Sequence, residues 1–355
     1  MSGEGNGKTL REVSASGSHY NIGVSLGKQC KDQALRMQKM LKASVEQMPG
    51  MTLEKVLAHT NLTLPLTKEA YPEFVEEVEG YADGTGIGFD LVYASLCDRP
   101  FSRGKGCTDI AVNSQWTKDD VVLAAHNEDL EPFHYPDLCI TRVTPKDEPG
   151  FIAVTYGGIY PTVGMNTAGI SLTGNALVQN DTRLGLPKVV PVRKVLSAKG
   201  VYDALTWSMP PSRGQSYNNI ICDQNGEIYS MEGSATAFDA LYGHEGYLVH
   251  TNHYLSPRMW RFEDDLHTRM SSIIRYNRAS KLFKRHLGQV DLGTFKEVFS
   301  DHVGYPESIC RHPDPRLGEQ DQTMTLFSAV FDLTRKALWV CAGNPCEGEY
   351  RKHEL

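Results

Sequence analysis

The sequence predicts an α+β fold in which antiparallel sheets carry helices on their outer faces. Three observations lead there. Apolar residues recur at steps of three and four before about residue 107 and in short, strand-like runs after it. The strands follow one another, whereas a doubly wound parallel sheet would alternate them with helices. Turn signals separate many of them, among them Asp147-Glu148-Pro149-Gly150, Asn166-Thr167-Ala168-Gly169 and Gln224-Asn225-Gly226.

Taken in order, residues 22–47 set Leu26, Cys30, Ala34, Met37, Leu41 and Val45 on one face of a long helix. A second helix is expected over 72–83. Pro72 suits its first turn, Phe74, Val75, Val78, Tyr81 and Ala82 form its apolar stripe, and Gly84-Thr85-Gly86 stops it. A short third helix covers 91–96. Strands are expected over 109–113, 121–126, 138–143, 151–156, 169–173, 219–222, 227–231, 247–251, 324–331 and 337–341. Residues 219–231 read as a hairpin around Asn225-Gly226. Helices return over 190–197, 201–209, 266–287 and 292–299. Neither a linker nor an internal repeat divides the chain, so one domain is expected over 1–355. Residues 1–106 form an integral helical leader, and the polar, Gly-rich residues 1–8 form a frayed tail and no secretory signal.

Composition narrows the function. A net charge of −7 argues against a general nucleic-acid binder. No run of 18 apolar residues is present, so no membrane span is expected. The eight cysteines include no Cys-x-x-Cys pair and are spread through apolar runs. That pattern favours reduced thiols and a cytoplasmic location, and argues against a zinc framework. No cofactor or metal is expected.

Four polar clusters fall at expected strand ends: Gly106-Cys107-Thr108-Asp109, His126-Asn127-Glu128-Asp129, His250-Thr251-Asn252-His253 and Ser308-Ile309-Cys310-Arg311-His312. Cys107 is the most informative residue. If the chain is cut between Gly106 and Cys107, one residue carries both a thiol and a free α-amine. An α-amine titrates at about 7.7–8, so part of it is neutral near pH 7 and can take the thiol proton. An amide acyl transfer then needs only oxyanion donors, for which the Asn252 amide is a candidate. Asp129 is a candidate carboxylate to orient the amine, and Arg311 to bind a substrate carboxylate in bidentate fashion. Each cluster also reads as a plain turn, and Cys107 as a small core residue. His250 and His253 are spaced for metal, but no third ligand stands near them in sequence.

Together and in this order, the clusters resemble the acyl-coenzyme A:6-aminopenicillanic acid acyltransferase-like family of N-terminal nucleophile hydrolases. Gly106-Cys107-Thr108 is similar to its self-cleavage and nucleophile site, and His126-Asn127-Glu128-Asp129 to its Asn-x-Asp motif. His250-Thr251-Asn252-His253-Tyr254 is similar to its Thr-Asn-His-aromatic motif, which holds the oxyanion Asn. Ser308-x-x-Arg311 with Thr323-x-Thr325-Leu326-Phe327 is similar to its C-terminal pattern. In the leader, Glu76-x-x-Glu79-Gly80-x-Ala82-x-Gly84-x-Gly86 resembles the helix preceding the cleavage site. The resemblance spans roughly residues 18–345. It implies a four-layer αββα sandwich and a precursor cut before Cys107 into two fragments that stay together. It also implies catalysis by Cys107, Asp129 and Asn252, with Ser308 and Arg311 at the substrate.

The activity expected is hydrolysis of a small linear amide through a thioester on Cys107. The alternative is acyl transfer to an amine, with acyl-coenzyme A as a further partner. Two other readings stay open: an uncut Cys–His enzyme with His126 or His250 as base, and a binding protein in which Cys107 is a core residue.

Overall fold

In the computed structural model, residues 8–97, 106–264 and 266–355 are described. The expected frayed tail over 1–8 lies almost wholly outside them, as does the Arg103-Gly104-Lys105 approach to Cys107. The leader supplies β1 (Arg11–Gly17), α1 (His19–Gln29), α2 (Lys31–Glu46), α3 (Leu53–Asn61), α4 (Leu64–Ala70), α5 (Pro72–Thr85) and α6 (Phe89–Leu96). Then come β2 (Gly106–Val112), β3 (Leu123–Leu130), β4 (Leu138–Pro145), β5 (Phe151–Tyr156), β6 (Tyr160–Asn166), β7 (Ile170–Asn175), α7 (Val189–Val195) and α8 (Val201–Ser208). The chain continues through β8 (Asn218–Asp223), β9 (Ile228–Gly233), β10 (Phe238–Tyr242), β11 (Tyr247–His250), α9 (Leu266–Phe283) and α10 (Leu292–Phe299). It closes with β12 (Met324–Asp332), β13 (Ala337–Ala342) and β14 (Arg351–Glu354).

The strands build two sheets, ordered β1-β4-β5-β6-β7-β8-β9-β10 and β11-β2-β3-β12-β13-β14. Every neighbouring pair is antiparallel except β1 and β4, which run parallel. The two antiparallel-rich sheets expected are present, with one parallel pair at an edge, where β1 lies against β4; residues 1–106 are therefore not wholly helical.

Side-chain alternation makes the layers. On β5, Phe151 and Ala153 pack into a core shared with α1, α5 and α7, while Ile152, Val154 and Tyr156 turn to the facing sheet. On β2 and β3, Ala111 and Ala124 face between the sheets, while Ile110, Val112, Leu123 and Ala125 pack with Phe283, Phe295 and Phe299 of α9 and α10. The order is helices, sheet, sheet, helices: the four-layer αββα sandwich. No helix among the described residues is long and apolar enough to cross a membrane, and none of the eight cysteines is disulfide-bonded.

The single helix expected over 22–47 is broken at Cys30, where φ −113° and ψ 21° leave the helical region. Before the break, α1 lies backbone to backbone on α5. A Cβ at Gly23 would stand 2.0 Å from Glu77 O and one at Gly80 2.0 Å from Tyr20 O; Gly27 and Gly84 repeat the contact one turn on. The Gly80-x-Ala82-x-Gly84 run is thus a packing face as well as a helix stop; at its end Gly86 adopts φ 74°. Neither backbone can yield to an added methyl. We expect Gly80→Ala to cost about 3 kcal/mol or more, since overpacking a tight contact typically costs 1–3 kcal/mol and here the partner is main chain. A urea unfolding midpoint equal to that of the wild type would remove the close contact from the fold.

Candidate active site

Cys107 sits second in β2, on the alternation that sends Asp109 and Ala111 between the sheets. On β3, opposite it, His126 and Glu128 share that face, because Cys107 pairs with Glu128 and Asp109 with His126. Cys107 is buried, and its Sγ lies 4.0 Å from Glu128 Oε2. From the facing sheet, Tyr156 OH reaches Glu128 Oε1 at 3.5 Å. Burial pushes the thiol pKa well up, and the negative charges of Glu128, Asp129 and Asp109 push it further. The uncut chain therefore holds a thiol, and a proton acceptor is needed to make it a nucleophile.

The main chain of Cys107 is gripped from both sides. Its N–H donates to Asn252 Oδ1 at 2.7 Å. Asn252 follows β11, the strand that pairs with β2 and brings His250 opposite Asp109. Arg275, on α9 and only 1% exposed, donates from Nη1 to Cys107 O (2.6 Å) and Thr108 Oγ1 (3.2 Å), and from Nη2 to Asn252 Oδ1 (2.8 Å). With two donors on Oδ1 and Nδ2 donating to Ala176 O at 3.0 Å, the amide orientation of Asn252 is fixed and one Nδ2 hydrogen is left over. Burial, with Arg311 nearby, lowers the Arg275 pKa to about 10.

Asp129, Ser308 and Arg311 lie elsewhere. Asp129 pairs with Gly106 across β2 and β3 but points to the outer face, away from the thiol. Its Oδ1 accepts from Thr325 Oγ1 (2.7 Å) and its Oδ2 stands 3.6 Å from Arg311 Nε. Burial raises its pKa to about 6 against the pull of Arg311 and Arg275. Arg311 is 4% exposed, and its guanidinium already donates to Ser271 Oγ (3.1 Å), Thr323 Oγ1 (3.1 Å) and Glu307 Oε2 (2.6 Å). Ser308 is buried and gives its hydroxyl to Cys310 O at 2.6 Å. Asp129 and Arg311 therefore frame Gly106, while Ser308 braces the loop that carries Arg311: a Cβ on Gly106 would lie 2.7 Å from Asp129 Oδ2 and 3.0 Å from Arg311 Nη2.

The histidines have other tasks. His126 lies between two carboxylates, Nδ1 to Asp109 Oδ1 at 2.8 Å and Nε2 to Glu128 Oε2 at 2.7 Å. Burial disfavours its charge, but Asp109 and Glu128 outweigh burial and raise its pKa to about 10. His250 is bound by Glu232 Oε1 (2.8 Å) and Asn175 Oδ1 (2.9 Å). His253 meets Ser272 Oγ at 2.7 Å, and burial, aided by His250 and two arginines, lowers its pKa to about 4.

The raised His126 pKa has a measurable sign. The folded state keeps a proton that the unfolded chain loses near 6.5, so this stabilisation is complete below pH 6.5 and is lost as pH rises to about 10. The urea midpoint of the wild type should fall between pH 7 and 10, and this slope should flatten in His126→Gln. Parallel slopes in the two proteins would exclude a charged His126.

Arg275 carries no mark in the sequence, where it is one basic residue in an amphipathic helix. Glu128 is visible within its cluster, but read as a turn the cluster gives no reason to prefer it to Asp129. Read as strand, alternation from Ala124 puts Glu128, and not Asp129, on the face of the thiol.

Comparison with known proteins places the chain among enzymes, in the class of acyltransferases and amide hydrolases. The chain belongs to the acyl-coenzyme A:6-aminopenicillanic acid acyl-transferase family, whose model matches residues 116–347, a span that begins after Cys107 and includes Asp129, Asn252 and Arg311. It is similar to the 40 kDa form of acyl-coenzyme A:6-aminopenicillanic-acid-acyltransferase of Emericella nidulans, 25% identical over 285 residues, 78% of this chain and 77% of the relative. It is also similar to the beta-alanyl-dopamine/carcinine hydrolase of Drosophila melanogaster, 25% identical over 213 residues, 53% of this chain and 54% of the relative. Among solved structures, a mutant of conjugated bile acid hydrolase from Clostridium perfringens matches with a TM-score of 0.43 at 13% identity, over 70% of this chain and 97% of that one.

Proposed function

We propose that this chain cuts its own Gly106–Cys107 bond and then hydrolyses a small linear amide with the new N-terminal cysteine. The observation that carries this is the pair of grips on Cys107: Asn252 on its nitrogen and Arg275 on its carbonyl. They hold in place the atom that becomes the α-amine.

In the precursor, Glu128 takes the Cys107 thiol proton and Sγ attacks the Gly106 carbonyl carbon. The C–N bond breaks, the nitrogen leaves with a proton as the α-amine, and Gly106 is carried as a thioester. Water hydrolyses it, releasing the Gly106 carboxyl and the thiol. In the mature enzyme the amine is the base. Arg275 shares Asn252 Oδ1 with it, and a buried positive charge at that distance disfavours protonation of the amine. The thiolate attacks the substrate carbonyl, the free hydrogen on Asn252 Nδ2 receives the oxyanion, and the protonated amine gives its proton to the leaving nitrogen. Water resolves the acyl-enzyme.

The uncut Cys–His reading loses support because His126 is held charged and both nitrogens of His250 are occupied.

Acyl transfer is the second reading, favoured by the relative matched over the larger share of its length being an acyltransferase. An N-acyl amine substrate incubated with rising concentrations of a second amine separates the two. Hydrolysis gives free acid throughout, whereas dominant formation of the new amide would make transfer the activity. If neither product forms from a panel of N-acyl amines, the amidase reading falls.

A further inference from the structure

A second constellation stands apart from Cys107. His302 lies just beyond α10, Cys310 and His312 in the loop before β12, and Cys346 just beyond β13. Their donor atoms all fall within 4.8 Å of one another. Cys310 Sγ is 3.5 Å from Cys346 Sγ, and His302 Nε2 is 3.0 Å from His312 Nε2. His312 Nε2 is 3.6 Å from Cys310 Sγ and 3.4 Å from Cys346 Sγ.

Two thiols and two imidazole nitrogens so arranged match one tetrahedral ion. With Zn–S about 2.3 Å and Zn–N about 2.05 Å, the edges of a regular ZnS₂N₂ tetrahedron are about 3.8 Å (S–S), 3.3 Å (N–N) and 3.6 Å (S–N). Four of the six edges lie within about 0.3 Å of these values, and the two from His302 Nε2 to the sulfurs lie within 4.8 Å. A two-iron cluster is disfavoured, because it places its thiolates and imidazoles on different irons and would part sulfur from nitrogen. All-soft and imidazole donors without a carboxylate select against magnesium and calcium.

We infer that His302, Cys310, His312 and Cys346 form a structural zinc(II) site. Each histidine binds through Nε2 and keeps its proton on Nδ1, and both cysteines bind as thiolates, releasing their protons on metal binding. A supporting donor is present: Asn344 Nδ2 lies 3.4 Å from Cys310 Sγ and donates to Arg311 O at 2.7 Å. Cys310 and His312 flank Arg311, so the ion would pin the backbone of the residue whose guanidinium meets Asp129 beside Gly106. The four ligands are separated in sequence by steps of eight, two and 34, a spacing unlike a Cys-x-x-Cys framework, so cysteine spacing alone does not reveal them. The other such group, Cys107, His126 and Glu128, belongs to the active site, where both His126 nitrogens are already held by carboxylates.

The test is metal analysis of the full-length protein expressed with added zinc and purified without chelator. We expect about one zinc per chain, kept in Cys107→Ala and lost in Cys346→Ser and His312→Gln. Cobalt(II) in its place should give a thiolate-to-cobalt charge-transfer band and the intense visible bands of a tetrahedral ion. Should the variants fail to fold, titrating wild-type thiols with a mercurial must release the zinc. Wild-type protein far below one equivalent, full retention in Cys346→Ser, or Cys310 and Cys346 isolated as a disulfide would each overturn the site.

Discussion

Cys107→Ala leaves one uncut chain of 39.5 kDa with no turnover of any amide. The expectation follows from two roles held by one sulfur. Without it nothing attacks the Gly106 carbonyl, so no α-amine is made, and without the amine and thiol there is neither base nor nucleophile. The variant should still fold. Cys107 is a small buried residue at a strand start, and its main-chain bonds to Asn252 and Arg275 do not use the side chain. A Cys107→Ala chain that is cut, or active, would end the mechanism. A chain that does not fold is distinguished by its far-UV circular dichroism, and Cys107→Ser, which keeps a weaker nucleophile, then carries the test through slow cleavage.

The second large effect is at Asn252. Removing one oxyanion donor typically costs about 10²–10³ in turnover, and Asn252→Ala also frees Arg275 Nη2 and the Cys107 nitrogen. We expect kcat for the mature enzyme to fall by about that factor with KM little changed, because the oxyanion exists only in the transition state. Asn252→Asp probes the other half of the amide. It keeps an acceptor for the amine and Arg275 but loses the donor, so its kcat should be as low as that of the alanine variant. Near-normal turnover in the aspartate variant would leave Asn252 a positioning residue for the Cys107 nitrogen only.

Much of this fold is legible because strands and turns leave local marks. The 151–156 strand and the 292–299 helix fall on their expected bounds, and Asn225-Gly226 turns the hairpin of β8 and β9, with Gly226 at φ 92°. The elements without such marks are those whose reasons are tertiary. Pro161 argues against a strand at β6, but it sits where the register with β5 shifts, a bulge that tolerates a missing N–H. β14, Arg351–Glu354, is a charged edge strand with no apolar alternation. The break at Cys30 exists because α1 must follow α5 while α2 turns away to pack against α6, which no local pattern announces.

The site divides in the same way. Cys107 and Asn252 stand out as unusual residues at strand ends, and the fold brings them within one hydrogen bond. Arg311 suits a substrate carboxylate by residue type, yet its Nη1 and Nη2 already meet Ser271, Thr323 and Glu307 and its Nε faces Asp129, so a role in holding the Gly106 junction fits its place better. Arg275 and the four ligands around His312 come from segments far apart in the chain. Their meaning depends on which segments the sandwich brings together.

The most direct measurement is the intact mass and N-terminal sequence of freshly purified wild-type protein. Two fragments that co-purify, the larger beginning Cys-Thr-Asp-Ile, are the predicted result. A single uncut chain that hydrolyses amides at full rate would contradict the account, because the base would then have to be a group other than the α-amine of Cys107.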